Sequence, residues 1–373
     1  MPHPDSDDKA CLNASQKPRL ARVVDANLNR AAEALRTLED IARFFLVDAD
    51  HSSDLKRTRH ALITAGSIIS TDPLARAASR DAQGDPGREI STLTEGHRES
   101  IRSIALAAEA RATQALRVLE EVAKLHAPNV APDLEQLRYT SYTLAQRLTI
   151  ALGTGTSQQW RLCVLITEAA CTHHSWEAVA ERAIAGGADC LQLREPALPD
   201  RTLLSRAERF AHLCRSGGIT SFINNRADIA LLAGADGVHL GQNDLPPLAA
   251  RSLAGASLLL GVSPATIEQA RAAARAGADV CGVGPMFPST TKPKNSLAGL
   301  EYLRAYMSDP HTNRVPHLAS SGINRRNAHS VAEAGGRGIA VCAEVCGSED
   351  PSTATQLLLD SLGTPTAADS EHP

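Results

Sequence analysis

From Arg161 to Leu362 the chain alternates short apolar runs with Ala-rich amphipathic segments that end in glycine. Eight runs occur in order: Leu162–Thr167, Asp189–Arg194, Thr220–Asn224, Gly237–Gly241, Leu258–Ser263, Val280–Val283, Pro316–Ala319 and Gly338–Val341. A strand followed by a helix, repeated eight times over about 200 residues, is the pattern of a parallel (β/α)8 barrel. An open doubly wound sheet is the alternative, but no GxGxxG turn opens the first unit, which favours the barrel. The predicted fold class is α/β, with a C-terminal TIM barrel over 161–362.

The preceding text has a different rhythm. Between Leu20 and Thr149 apolar residues such as Leu28, Ala31, Leu35, Leu38, Ala42 and Phe45 recur at steps of three and four, which predicts an all-α domain over 20–152. The segment from Arg30 to Asp40, RAAEALRTLED, recurs from Arg111 to Glu121 as RATQALRVLEE, so two related helices are expected to pack in one bundle. The polar stretch Arg80 to Gly87, with two glycines and a proline, reads as a loop between the copies, and a third helix is expected near Pro132–Leu152. Residues 153–160 read as a linker, and 1–19 and 363–373 as disordered tails.

Composition limits the partners. With 38 basic and 42 acidic side chains the net charge is −4, which supplies no electrostatic reason to expect nucleic acid or an anionic membrane. The eight cysteines form no CxxC pair, so they read as reduced thiols of a cytoplasmic protein and not as a disulfide or zinc framework. The first eight residues are polar and acidic, and no apolar run approaches the roughly 18 residues that would span a bilayer; neither an export signal nor a membrane span is expected.

In a barrel the chemistry sits at the C-terminal strand ends, and here those ends are polar. They carry Gln192, Arg194 and Glu195 after strand two, Asn224 and Asn225 after strand three, Asp244 after strand four, Ser263 after strand five, and Ser289, Thr290, Thr291 and Lys292 after strand six. Each has a structural reading as a cap, a turn residue or an ion pair; their convergence on one rim is what points to a site. Arg194 and Lys292 suit a diphosphate, and Asp244 with Asn225 offers oxygen ligands to Mg²⁺. The hydroxyls of Ser289, Thr290 and Thr291, and the close backbone approach at Gly322, suit a second phosphate.

QLRE at 192–195, IN at 223–224, GVHLGQND at 237–244, LGVS at 260–263, GVGPMFPSTTKP at 282–293 and GIAV at 338–341 resemble thiamine phosphate synthase. The resemblance covers essentially all of 161–362. It implies a Mg²⁺-dependent transferase that joins 4-amino-2-methyl-5-hydroxymethylpyrimidine diphosphate to a thiazole phosphate, in its carboxylated form, and releases diphosphate. It places Gln192, Arg194, Glu195, Pro196, Asn224, Ser263 and Lys292 around the pyrimidine diphosphate, with Arg194, Lys292 and Ser263 as the catalytic set. Asn225 and Asp244 fall on the metal positions, and Ser289, Thr290, Thr291, Gly322, Cys342 and Ala343 around the thiazole phosphate. Four positions depart from the family pattern: Pro196 stands where it usually has lysine, Asn225 where it usually has aspartate, and Ser321 and Ala343 where it usually has glycine and serine.

The N-terminal segment, with VDANLNR at 24–30 and the ALRxLE repeats, resembles a helical domain fused to this synthase in some bacteria and assigned there as an alternative hydroxymethylpyrimidine phosphate kinase. Asp25, Asn27, Arg30, Arg80, Asp81 and Asp85 are its polar candidates, against the reading of a solvated, salt-bridged helix face. Two rival readings of the barrel remain at this level. It could be an isomerase of the related thiazole tautomerase type, with His239 as acid or base, or a non-catalytic protein that binds thiamine intermediates.

Overall fold

The computed structural model describes residues 16–69, 72–81, 83, 97–155, 158–289 and 296–363. The chain divides into two compact units, Met1–Thr149 and Ile150–Pro373.

Among the described residues the first unit is helical: α1 (Gln16–Asp40), α2 (Ala49–Ile69), α3 (Pro73–Ala78), α4 (Ile101–His126) and α5 (Ala131–Ala151). Helix α1 begins at Gln16, so residues 16–19, read as tail, are its first turn; the other tail residues lie outside the described ones except Gly363. The repeated segments lie in α1 and α4, which pack along each other, with Leu35, Leu38, Leu116 and Leu119 fully buried. Ser100 and Ser103 cap the start of α4 reciprocally, each side chain bonding the other's backbone N–H.

The repeat also places a carboxylate in each buried face. Arg59 on α2 donates to Glu39 at 3.0 Å, and Arg138 on α5 donates to Glu120 at 3.0 Å. The arginines themselves stand in matching contexts, Asp54-Leu55 before Arg59 and Asp133-Leu134 before Arg138. The duplication therefore covers a helix pair, α1–α2 and α4–α5, and each copy closes on one largely buried ion pair that is costly to leave half-made.

In the second unit eight parallel strands close a barrel in chain order: β1 (Leu162–Ile166), β2 (Cys190–Leu193), β3 (Thr220–Asn224), β4 (Gly237–Leu240), β5 (Leu259–Val262), β6 (Val280–Val283), β7 (His317–Ser320) and β8 (Ile339–Val341). Each coincides with one of the apolar runs to within a residue or two at either end. Helices follow the strands and bury their apolar faces against them; Phe210, Leu203 and Ala207 on the helix Asp200–Ser216, which follows β2, are representative. Residues 153–160 are bonded to the barrel where they are described. Thr154 donates its N–H and Oγ1–H to Asp279 at 2.7 Å each, Gln159 bonds the His317 carbonyl, and buried Trp160 donates to Thr220 while its ring meets Phe222 edge-on. This stretch, read as a linker, supplies the barrel's floor.

His317, at the start of β7, is fully buried, and its Nε2 accepts the Arg337 N–H at 3.1 Å. Burial pushes its pKa from 6.5 down to about 4. The unfolded chain takes up this proton near pH 6.5 and the folded chain only near 4. The resulting stability is therefore complete above the higher value and is lost as pH falls through the interval, in total about 3 kcal/mol. Thermal melts of the wild type and His317→Gln between pH 7 and 4 should show a shallower decline in the variant; parallel curves would exclude His317 as the source.

Candidate active site

A cavity of about 660 Å³ opens at the C-terminal ends of the strands. Strand alternation selects what enters it. Leu191 and Leu193 point outward into the helix layer, while Gln192 between them points into the barrel and lines the cavity. Arg194 follows at the rim. Among the described residues its guanidinium has no hydrogen bond or ion pair.

Asn224 and Asn225 border the cavity at the end of β3. Asn225 has φ +68°, a left-handed conformation that asparagine and aspartate tolerate better than other side-chain-bearing residues, and its N–H donates to the His239 carbonyl at 2.8 Å. Asp244 is held by its own loop, one carboxylate oxygen accepting the Gly241 N–H at 2.7 Å. It lines the same cavity as Asn225.

His239 on β4 lies across the inside of the barrel, with Nε2 2.7 Å from the Ser263 hydroxyl. Its ring fits because the neighbouring strands carry glycine there. A Cβ at Gly261 would stand 2.5 Å from Nδ1, and one at Gly282 2.9 Å from Cε1. The loop after β6 folds over the end of β7, with Met286 and Phe287 N–H groups donating to the Ser320 and Ser321 carbonyls at 2.9 and 3.1 Å. Ser321 and Gly322 are both left-handed there, and a side chain at 322 would stand 2.3 Å from the Pro288 carbonyl oxygen. Ser289 and Gly322 thereby reach the cavity on one side, and Cys342 and Ala343 reach it from the end of β8. A hydrogen bond with Cys346 lowers the Cys342 pKa from the ordinary thiol value; burial opposes this, and Thr167 and the Arg194 charge reinforce it.

Of the residues anticipated from sequence, Gln192, Arg194, Asn224, Asn225, Asp244, Ser263, Ser289, Gly322, Cys342 and Ala343 line this one cavity. Glu195 and Pro196 do not. Arg206 on the helix Asp200–Ser216 takes the Glu195 carboxylate at 3.0 Å, the same carboxylate accepts the Glu168 N–H, and Pro196 is exposed. Thr290, Thr291 and Lys292 lie outside the described residues. Ser320, Asn324 and Glu344 also line the cavity. Their polarity near an apolar run was the available signal, but it takes the register of β7 for Ser320, and the course of the chain beyond β7 and β8 for Asn324 and Glu344, to bring them to the cavity.

A family profile described as thiamine monophosphate synthase matches residues 162–345, and a second, described as the ThiD2 family, matches residues 22–147. A thiamine-phosphate synthase of Nostoc punctiforme is 38% identical over 344 residues, covering 91% of this chain and 93% of the relative. One from Synechocystis is 36% identical over 344 residues, covering 92% and 96%. The solved thiamine phosphate pyrophosphorylase of Pyrococcus furiosus is 32% identical and covers 54% of this chain and 95% of its own, with a TM-score of 0.49. Matched through both of its units to such relatives, the chain is an enzyme of the thiamine-phosphate synthase family, a transferase of thiamine biosynthesis.

Proposed function

We propose that the barrel cavity condenses 4-amino-2-methyl-5-hydroxymethylpyrimidine diphosphate with 4-methyl-5-(2-phosphoethyl)thiazole, taken in its carboxylated form, and that it requires Mg²⁺. The observation that carries this reading is the meeting of the Arg194 guanidinium, unpaired among the described residues, with Asp244 and Asn225 in one cavity. A carboxylate and a carboxamide form an all-oxygen donor set. That suits a hard cation which keeps several waters and takes its remaining ligands from substrate phosphates. Asp244 retains a second oxygen for this purpose while the first is fixed by Gly241. When bound, Mg²⁺ would neutralise charge on the departing diphosphate.

The chain's own residues bind and orient. Arg194, with Lys292, grips the diphosphate, while Gln192, Asn224 and Ser263 hold the aminopyrimidine in the orientation that lets it share positive charge developing on its methylene carbon. The carbon–oxygen bond to diphosphate breaks, the thiazole nitrogen bonds to the methylene carbon, and carbon dioxide departs from the carboxylated thiazole, leaving its bonding pair on the ring carbon, which takes up a proton from water. Ser289, Thr290, Thr291, Gly322, Cys342 and Ala343 hold the thiazole phosphate so that its nitrogen faces that carbon. No protein nucleophile is required. In the same reading, the N-terminal unit phosphorylates the pyrimidine monophosphate to the diphosphate that the barrel consumes. The enzyme is placed in the cytoplasm, where the cysteines of the described residues, all free thiols, stay reduced. No helix among the described residues is long and apolar enough to cross a membrane.

Asp244→Ala should lower the rate of thiamine phosphate formation on the order of 100-fold or more. Steady-state assays with both substrates and Mg²⁺ test this, and near-normal turnover in the variant would overturn the assignment of this cavity. Asn225→Asp adds a charged ligand at a backbone conformation aspartate accepts, so the Mg²⁺ concentration giving half-maximal rate should fall. An unchanged or higher metal requirement would place residue 225 away from the metal.

A further inference from the structure

The duplication in the N-terminal unit singles out a polar patch that the fold does not need. Aligning Arg30 with Arg111 and Glu39 with Glu120 sets Asp25 opposite Leu106, Asn27 opposite Ala108 and Asn29 opposite Ala110. The interior agrees between copies, since Val24 and its counterpart Ala105 are both buried. The surface does not. Asp25 is 7% exposed where Leu106 is 44% exposed, and Asn27 is buried where the other copy buries alanine. One copy thus folds with small and apolar residues at all three places, while the other carries the cost of burying polar groups at two of them, Asp25 and Asn27.

Four further contacts organise the patch. Arg80 makes a bidentate pair with Asp25, at 2.7 and 3.0 Å, yet its own side chain is 59% exposed. Arg22 donates to the Asp81 carbonyl at 2.6 Å and pairs with the Asp81 carboxylate at 3.7 Å, which ties the residue after Arg80 to α1. Asn29 donates to Asp25 at 3.3 Å, and Asn27 donates to the Val23 carbonyl at 2.8 Å, leaving its carboxamide oxygen to accept from a ligand.

We propose that this patch on α1 is where the N-terminal unit binds the pyrimidine monophosphate. Arg80, aimed by Asp25, takes the phosphate, and the Asn27 carboxamide reads the amidine-like edge formed by a ring nitrogen and the exocyclic amine, a pairing that carboxamides make with adenine. The assignment rests on the reading that this unit handles the pyrimidine phosphate. The step served is a phosphoryl transfer: a phosphate oxygen of the monophosphate attacks the terminal phosphorus of a nucleoside triphosphate, the bond to the bridging oxygen breaks, and nucleoside diphosphate leaves. The competing location is the groove of about 380 Å³ between α2 and α5, lined by Arg57, Tyr139 and Arg147.

The full-length protein is titrated calorimetrically with 4-amino-2-methyl-5-hydroxymethylpyrimidine monophosphate, and diphosphate formation is followed separately after adding ATP. Arg80→Met and Asn27→Ala should each weaken monophosphate binding about tenfold or more, the worth of a charge-assisted or buried hydrogen bond. Arg147→Ala should leave it unchanged. Thiamine phosphate formation from supplied pyrimidine diphosphate should be the same in all three, which shows that the barrel is intact, and far-ultraviolet circular dichroism checks the helical unit. Wild-type binding lost in Arg80→Met and Asn27→Ala without any ATP-dependent product would sink the kinase reading and leave the site standing. Unaltered affinity in those two variants, loss in Arg147→Ala instead, or no binding by the wild type would overturn the site.

Discussion

Three aspartates, Asp279 buried, Asp189 half-buried and Asp236 exposed, hold the N-terminal end of the barrel together, and the geometry of the opposite end depends on them. Each follows a helix in an Ala-Gly-Ala-Asp turn or a close variant, at Asp189, Asp236 and Asp279, just before an even-numbered strand. Each carboxylate reaches back to backbone N–H groups of the odd strand before it: Arg161 and Leu162 for Asp189, Ser221 for Asp236, and Leu260 for Asp279. The glycines of these turns, Gly187, Gly234 and Gly277, are left-handed and end the preceding helix, which turns the chain into the strand at a fixed angle. In the fourth unit Arg337 stands in the aspartate's place, and the buried imidazole of His317 receives its N–H instead.

Such carboxylates are paid for by desolvation and returned by bonding. Burial pushes the Asp189 carboxyl above its ordinary range, although the Arg161 and Leu162 N–H groups pull the other way. Asp279 gathers the most: the Arg251 guanidinium, the Leu260 N–H and both donors of Thr154. Losing such a residue leaves several buried donors unsatisfied at once, which costs far more than one hydrogen bond gains. With one end fixed in this way, the other can carry left-handed Asn225 and Ser321 and an Arg194 unpaired among the described residues, features that add nothing to stability. Stability at one face and chemistry at the other is the division of labour of this fold.

The helical unit solves its packing twice with the same device, a buried glutamate met by an arginine from the next helix, and then departs from symmetry at one end of α1. Because the two copies share a scaffold, one serves as an internal control for the other. Leu106, Ala108 and Ala110 show what packing alone accepts at positions where the first copy carries Asp25, Asn27 and Asn29.

The alternation of apolar runs with amphipathic segments determined the barrel, its strand order and which end carries chemistry, because parallel strands joined by helices admit few closures and local periodicity states both elements. The resemblance of strand-end motifs determined the family and named ten residues that share one cavity. Tertiary structure alone decided the rest. Glu195 sits one residue from Arg194, yet Arg206, eleven residues further on, captures its carboxylate and removes it from the cavity lining. Nothing local in QLRE separates the two, since a side chain's direction at a strand end depends on which charges the following helix presents. Likewise, residues 153–160 read as a linker by their glycines and polarity, but the Asp279 carboxylate, far along the chain, binds Thr154 and Trp160 closes the barrel floor. Partners so distant in sequence leave no periodic trace, and only the closed barrel brings them into bonding distance.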